Sequence, residues 1–427
     1  MSGGRAVPPA SGALRYDHVV LDNGLTVIGE LNPNAVSVAA GYFVRTGARD
    51  ESGDVAGVSH FLEHMMFKGT DRRTAADINR SFDELGAQYN AFTSEERTVY
   101  YGAVLPERLR QLLDLLSDMM RPALRQEDFD VEKNVILEEI AMYEDRPHFR
   151  VFELAGNGFW NGHPLGHSVL GGQDSIRALT REQMLAYFER RYVPSNLVLA
   201  VAGAYDWDAV TGDVAALTQG WRPVDAGREL VAPRPAAGEG RTRDDALSRV
   251  HAAVFAPGLA VTDERRYAAA VLANALGDDS GSRLFWALVD KGLADSASLG
   301  HEASDGAGAY VGYVSAAPER ADEVLGVYRR VLGEAQEDGL GAEEWHRSQR
   351  KLATSLTLRA ETPLGRLVSL GVGEQTLGRY QSVQEVVDAV MGTTVDDGHA
   401  LLSQRPFDAL YVHRLEPAGA TEEATTS

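Results

Sequence analysis

His60-Phe61-Leu62-Glu63-His64 constrains this chain more than any other segment. Two imidazoles four positions apart share one face when the segment is helical, and both can then reach a single metal ion. Glu63, three residues after His60, lies on nearly the same face, where it can act on a metal-bound water instead of ligating. Two such histidines can equally sit on a solvated helix, so the segment needs a third ligand from elsewhere in the chain.

That ligand is sought in Val131-Glu132-Lys133-Asn134-Val135-Ile136-Leu137-Glu138-Glu139-Ile140, inside a helical pattern from about 126 to 144. Val131, Val135, Leu137 or Glu138, and Ile140 are expected to mark its packed side. Glu132 and Glu139 are seven residues apart, two helical turns, and stack on one face. One can ligate while the other orients a ligand from behind. The ordinary alternative for Glu132, Glu138 and Glu139 is a solvated acidic face, and only the upstream histidines argue against it.

With these pieces in place the chain resembles the pitrilysin-type inverzincins, the metallopeptidases that include insulysin, the mitochondrial processing peptidase and bacterial relatives. The resemblance rests on His-x-x-Glu-His followed 75 residues later by glutamate in Glu132-Lys133-Asn134-Val135-Ile136-Leu137-Glu138-Glu139-Ile140. It extends to Val58–Thr70 and to Asn90-Ala91-Phe92-Thr93-Ser94-Glu95-Glu96-Arg97-Thr98-Val99-Tyr100-Tyr101. It covers about residues 15–415 and is most specific in the first half. It implies His60, His64 and Glu139 as zinc ligands, Glu63 as general base and Glu132 as supporting carboxylate, with Glu138 as the competitor for the ligand role. It also implies a peptide held as an added strand beside Asn90, Ala91, Phe92 and Thr93.

At 427 residues the chain is long enough for two or three domains. Strands mixed with pairs of helices indicate an α+β fold with helices stacked on a mostly antiparallel sheet, and the resemblance implies two homologous sandwich domains of this kind that together form half of a clamshell. The domains are expected at 15–220, carrying the zinc site, and at 246–415, without one. Gly220 to Asp245, with Pro223, Pro233 and Pro235, is the expected linker, and 1–14 and 416–427 the disordered ends. Tyr101-Gly102-Ala103-Val104-Leu105-Pro106-Glu107-Arg108 recurs as Tyr313-Val314-Ser315-Ala316-Ala317-Pro318-Glu319-Arg320, which favours duplication. The second copy has no His-x-x-Glu-His, so only the first half can bind zinc this way.

The second half departs from the family where active assemblies carry Arg-Glu-Lys-x-Gly-Leu-x-Tyr. Here the stretch is Leu288-Val289-Asp290-Lys291-Gly292-Leu293-Ala294-Asp295, with Val289 in place of Arg and Asp295 in place of Tyr. The resemblance therefore implies a heterodimer in which a related chain supplies the Arg/Tyr pair.

A net charge of −21 argues against nucleic acid as a partner and for neutral or cationic peptides. Without cysteine there is neither thiol catalysis nor a disulfide framework, which permits a bacterial cytoplasmic location. No apolar run reaches membrane-spanning length, and Met1 to Gly12 lacks the apolar region of a secretory signal. His163 and His167 repeat the four-residue spacing, but Pro164 and flanking glycines preclude a regular helix. Gly277-Asp278-Asp279-Ser280-Gly281-Ser282 lacks the lysine of a phosphate loop and leads into an expected helix over 283–289. Two classes of function remain: a zinc peptidase subunit, or a non-catalytic structural member of the same family.

Overall fold

The computed structural model describes residues 13–224 and 226–418. Of the expected disordered ends, 1–12 and 419–427 lie outside these residues, whereas Glu416 is the buried last residue of a strand. The first half runs β1 (Arg15–Val20), β2 (Thr26–Leu31), β3 (Val38–Val44), α1 (Val58–Met65), α2 (Ala75–Leu85), β4 (Gln88–Thr93), β5 (Thr98–Val104), α3 (Leu109–Met119), α4 (Gln126–Glu144), α5 (Pro147–Trp160), α6 (Gln173–Ala178), α7 (Arg181–Arg191), β6 (Leu197–Gly203) and α8 (Trp207–Thr218). The second runs β7 (Gly238–Arg243), β8 (Val250–Pro257), α9 (Arg266–Gly277), β9 (Ser296–Ser304), β10 (Ala307–Ala316), α10 (Ala321–Asp338), α11 (Ala342–Ala360), α12 (Pro363–Leu377), α13 (Val383–Met391), α14 (Val395–Leu402) and β11 (Tyr411–Glu416).

The first sheet has the order β1-β2-β6-β3-β5-β4, antiparallel except where β2 meets β6. Its centre follows from composition: β3 and β6 are continuous apolar runs and buried throughout, the signature of strands covered on both faces. Asn23-Gly24 makes the β1–β2 hairpin, with Gly24 at φ 88°, where a side chain would be strained. The second sheet has the order β7-β11-β8-β10-β9, with β7 and β11 as its parallel pair. Position for position this is β2-β6-β3-β5-β4 again, so the repeat read in sequence is also a repeat of topology.

Each half exports one helix. Contacts divide the chain into a unit of residues 1–137, 169–228 and 358–381 and a unit of residues 138–168, 229–357 and 382–427. α5 leaves the first half to pack on β8 and β11, and α12 leaves the second half to pack on β3 and β6. Both begin with proline at the first helical position, and both approach their sheet through glycine. A Cβ on Gly158 would run into the Tyr411 hydroxyl, and one on Gly371 into the Phe43 ring. Arg366 of α12 locks the exchange in the first unit through buried hydrogen bonds of 2.8–2.9 Å to Glu30 of β2.

The domain limits expected from sequence, 15–220 and 246–415, therefore differ from the compact units, which interleave along the chain. Part of the expected linker is folded as well. Gly238–Arg243 is β7, an edge strand whose polar sequence carries no apolar alternation. The expected helix over 283–289 is present, with π-helical geometry over Phe285–Val289. Among the described residues no helix is long and apolar enough to cross a membrane.

Candidate metal centre

α1 is held by its apolar face and its N-terminus. Val58, Phe61, Leu62 and Met65 are fully buried, and Phe61 stacks on Phe129 of α4 with ring centroids 4.8 Å apart. Gly57, at φ 89°, turns the chain into the helix. The Glu51 carboxyl accepts the Gly57 and Ser59 amide N–H groups, each at 2.7 Å, so it satisfies donors that the first turn leaves open. Burial pushes the Glu51 carboxyl up to about 7, against the pull of those two N–H bonds.

This placement turns His60 and His64 to one side, with ring centroids 4.8 Å apart. His60 is 8% exposed. Burial, and then the neighbouring His64, lower it to about 3, so its imidazole is neutral at any ordinary pH and keeps a lone pair for a metal.

α4 supplies the rest, through a face other than the expected one. Its buried residues are Phe129, Glu132, Ile136 and Ile140, whereas Val131 is 65% and Val135 44% exposed. Glu132 is 3% exposed, so one turn of the inward stripe is acidic. Its Oε1 lies 2.9 Å from His64 Nδ1, and its Oε2 pairs with Lys68 Nζ. Burial raises the Glu132 carboxyl, but the bonds to His64 and Lys68 outweigh it and hold the group below the usual carboxylate range. A charged carboxylate can only accept, so Nδ1 of His64 is the protonated nitrogen and Nε2 is left to ligate. The Lys133 ammonium, donating to Leu179 O at 2.6 Å, ties α4 to the α6–α7 connection.

Donor atoms of His60, His64 and Glu139 all lie within 4.8 Å of one another, the single such group of three among the described residues. The contact boundary between the units falls inside α4, after Leu137, but the helix is continuous and carries Glu139 two turns beyond Glu132. Glu138, one residue earlier and about 100° round the helix, is exposed and outside the group. Two imidazoles and a carboxylate, with a second carboxylate behind one imidazole, suit zinc.

Glu63 meets a strand. Thr93 Oγ1 donates to Glu63 Oε2 at 2.5 Å. Asn90, Ala91, Phe92 and Thr93 lie on β4, whose one partner among the described residues is β5, so the outer edge of the first sheet runs past α1. Lys68 is the residue near this centre that the motif reading left out. Its signal was its place one turn after His64.

The other candidates are placed elsewhere. His163 Nε2 lies 2.9 Å from Val231 O and its Nδ1 accepts the Leu165 N–H, so it is engaged in its own loop. His167 is outside the metal group. Asp278 of the glycine-rich loop pairs with Lys351. Val289 packs against the core of the second unit. Asp295 pairs with Arg249 and accepts the Ser315 hydroxyl at 3.2 Å, so neither position presents a guanidinium or phenol.

Residues 26–173 match the family model for insulinase, peptidase family M16, and residues 178–352 the model for the M16 inactive domain. An uncharacterized zinc protease of Streptomyces coelicolor is 34% identical over 95% of this chain and 93% of its own length. Another, from Bacillus subtilis, is 32% identical over 93% of this chain and 97% of its own. The crystal structure of a protease from Helicobacter pylori superposes with a TM-score of 0.88 at 19% identity, covering 95% of this chain and all of that one. At that identity the likeness is one of fold.

Proposed function

The chain belongs to the M16 (insulinase) peptidase family, and on that premise we propose that it is a zinc metalloendopeptidase of the inverted His-x-x-Glu-His type. Its zinc is held by His60, His64 and Glu139. The observation that carries this reading is the convergence of those three donors within 4.8 Å beside a glutamate on the same helix. Zinc bound there supplies Lewis-acid polarisation of a peptide carbonyl and an acidified water.

The chain's own residues do the rest. Glu63 takes a proton from the attacking water and returns it to the leaving amine. Glu132 keeps His64 in the tautomer that ligates, and Lys68 keeps Glu132 charged. An extended peptide lies along the outer edge of β4 beside Asn90, Ala91, Phe92 and Thr93, pairing through backbone hydrogen bonds that require an unfolded segment. The oxyanion donors that the family draws from its second half are absent at Val289 and Asp295, so a related chain provides them and closes the chamber.

The test is Glu63→Gln. The amide cannot accept the proton, so the variant should keep its zinc and lose peptide hydrolysis by about three orders of magnitude. Retained hydrolysis with retained zinc would remove Glu63 from the role. Wild-type chain that binds zinc but cleaves no peptide, with or without a related partner, would favour a structural member of the family.

A further inference from the structure

Glu63 is held from outside its own helix. The Thr93 hydroxyl, on the last residue of β4, donates to Glu63 Oε2 at 2.5 Å, the length of a charge-assisted O–H···O⁻ bond. We infer that Thr93 is a positioning residue: its hydroxyl fixes the Glu63 carboxylate against α1 and ties it to the strand beside which an extended peptide lies. The inference rests on the reading of Glu63 as the base.

Strand geometry puts the hydroxyl in place. Side chains alternate along β4. Tyr89 stacks on Phe82 of α2, centroids 3.8 Å apart, whereas Phe92 packs against the core cluster that includes Leu367 and Leu370 of α12. Residues 89, 91 and 93 therefore face α1 and α2, and 90 and 92 face the other way. Thr93 ends that row, where β4 turns into β5.

The turn is braced on several sides. Ser94 N donates to Arg97 O at 2.8 Å, Ala48 N to Ser94 O at 3.2 Å and Arg49 N to Glu95 O at 2.9 Å. The buried Arg49–Glu96 pair, at 2.5 Å, lies beneath it. Arg228 bridges the Glu96 carbonyl, at 2.5 Å, to the Asp50 carboxylate, at 2.7 Å. A β-branched side chain on so fixed a backbone has few rotamers, so Oγ1 is presented from a rigid support.

A glutamate at a helix surface has three side-chain torsions, and a displacement of about 1 Å from the productive position costs about 100-fold in rate. The bond to Thr93 removes that freedom before substrate arrives. Because the same strand carries the peptide, base and substrate share one frame. A peptide unable to extend along β4 gains nothing from the aligned base.

The test pairs two variants of the full chain, assayed with its related partner on a quenched peptide. Thr93→Val keeps the branched shape and deletes the donor. It should retain wild-type zinc and a KM within about twofold while kcat falls about 10- to 100-fold, the loss typical of an outer orienting contact. Thr93→Ser keeps the donor and should return kcat to within about fivefold of wild type, since the hydrogen bond is restored at some cost in rotamer freedom. Unchanged kcat in Thr93→Val, a change confined to KM, or an equal loss in Thr93→Ser would each overturn the inference. Glu63→Gln, run alongside, separates the two claims. If it stays active the base assignment fails. If it is inactive while Thr93→Val is unimpaired, only the positioning role fails.

Discussion

Glu132, Glu138 and Glu139 look alike in sequence, yet they occupy three environments on one helix. Glu132 is buried against His64 and Lys68, Glu139 is half-buried in the metal group, and Glu138 faces solvent. The seven-residue spacing was enough to pair Glu132 with Glu139. It could not say which side of α4 is packed, because Val131 and Val135 drew the apolar stripe to the wrong face. The true stripe, Phe129-Glu132-Ile136-Ile140, contains a carboxylate that burial alone would forbid. Glu51 shows the same competition and yields a pH prediction. Its carboxyl is raised to about 7 in the folded chain from an ordinary 4.5, so the folded state binds the proton more tightly than the unfolded one. Its contribution is full below about pH 4.5 and is lost as pH rises through 7. The gap in thermal midpoint between wild type and Glu51→Gln should therefore narrow from pH 4.5 to pH 7. A gap that widens would mean that the two N–H bonds dominate and the group is held as a carboxylate.

Local elements were legible where local rules decide them. Thr74 caps α2, Asp206 caps α8, Asn23-Gly24 makes a hairpin, and the unbroken apolar run Leu197–Gly203 is β6. The exported helices were not legible. α5 contains Gly156 and Gly158, which lower helix propensity by roughly 1 kcal/mol each, and its docking partners β8 and β11 are distant in sequence. Close approach to a sheet, which no sequence period records, accounts for Gly158, where a Cβ would meet the Tyr411 hydroxyl, whereas Gly156 faces open space. The α12 lock gives a prediction at this scale. Arg366→Met leaves Glu30 buried without its cation and should cost about 3–5 kcal/mol of stability, whereas Glu30→Met/Arg366→Met together should recover most of it. Denaturant midpoints of the two variants check this. An additive double variant would show that the pair is not coupled.

Among the described residues, duplication gives two sheets of one topology and a single metal group, carried by helices of the first half. That asymmetry, with Val289 and Asp295 in the second half, underlies the partner prediction. The isolated chain should hydrolyse peptides weakly, and a related chain bearing the Arg/Tyr pair should raise the rate by about 100-fold or more, the scale of a missing oxyanion donor. Full activity from the pure chain, unchanged by any partner, would assign that task to other donors in this sequence. Zinc binding needs no partner and so tests the central claim more directly. The measurement is metal content per chain for wild type, Glu138→Gln and Glu139→Gln. The account predicts about one zinc per chain, not two, in wild type and in Glu138→Gln, because one half alone carries the ligands. It predicts a large loss in Glu139→Gln. Equal zinc in both variants, or two per wild-type chain, would contradict it.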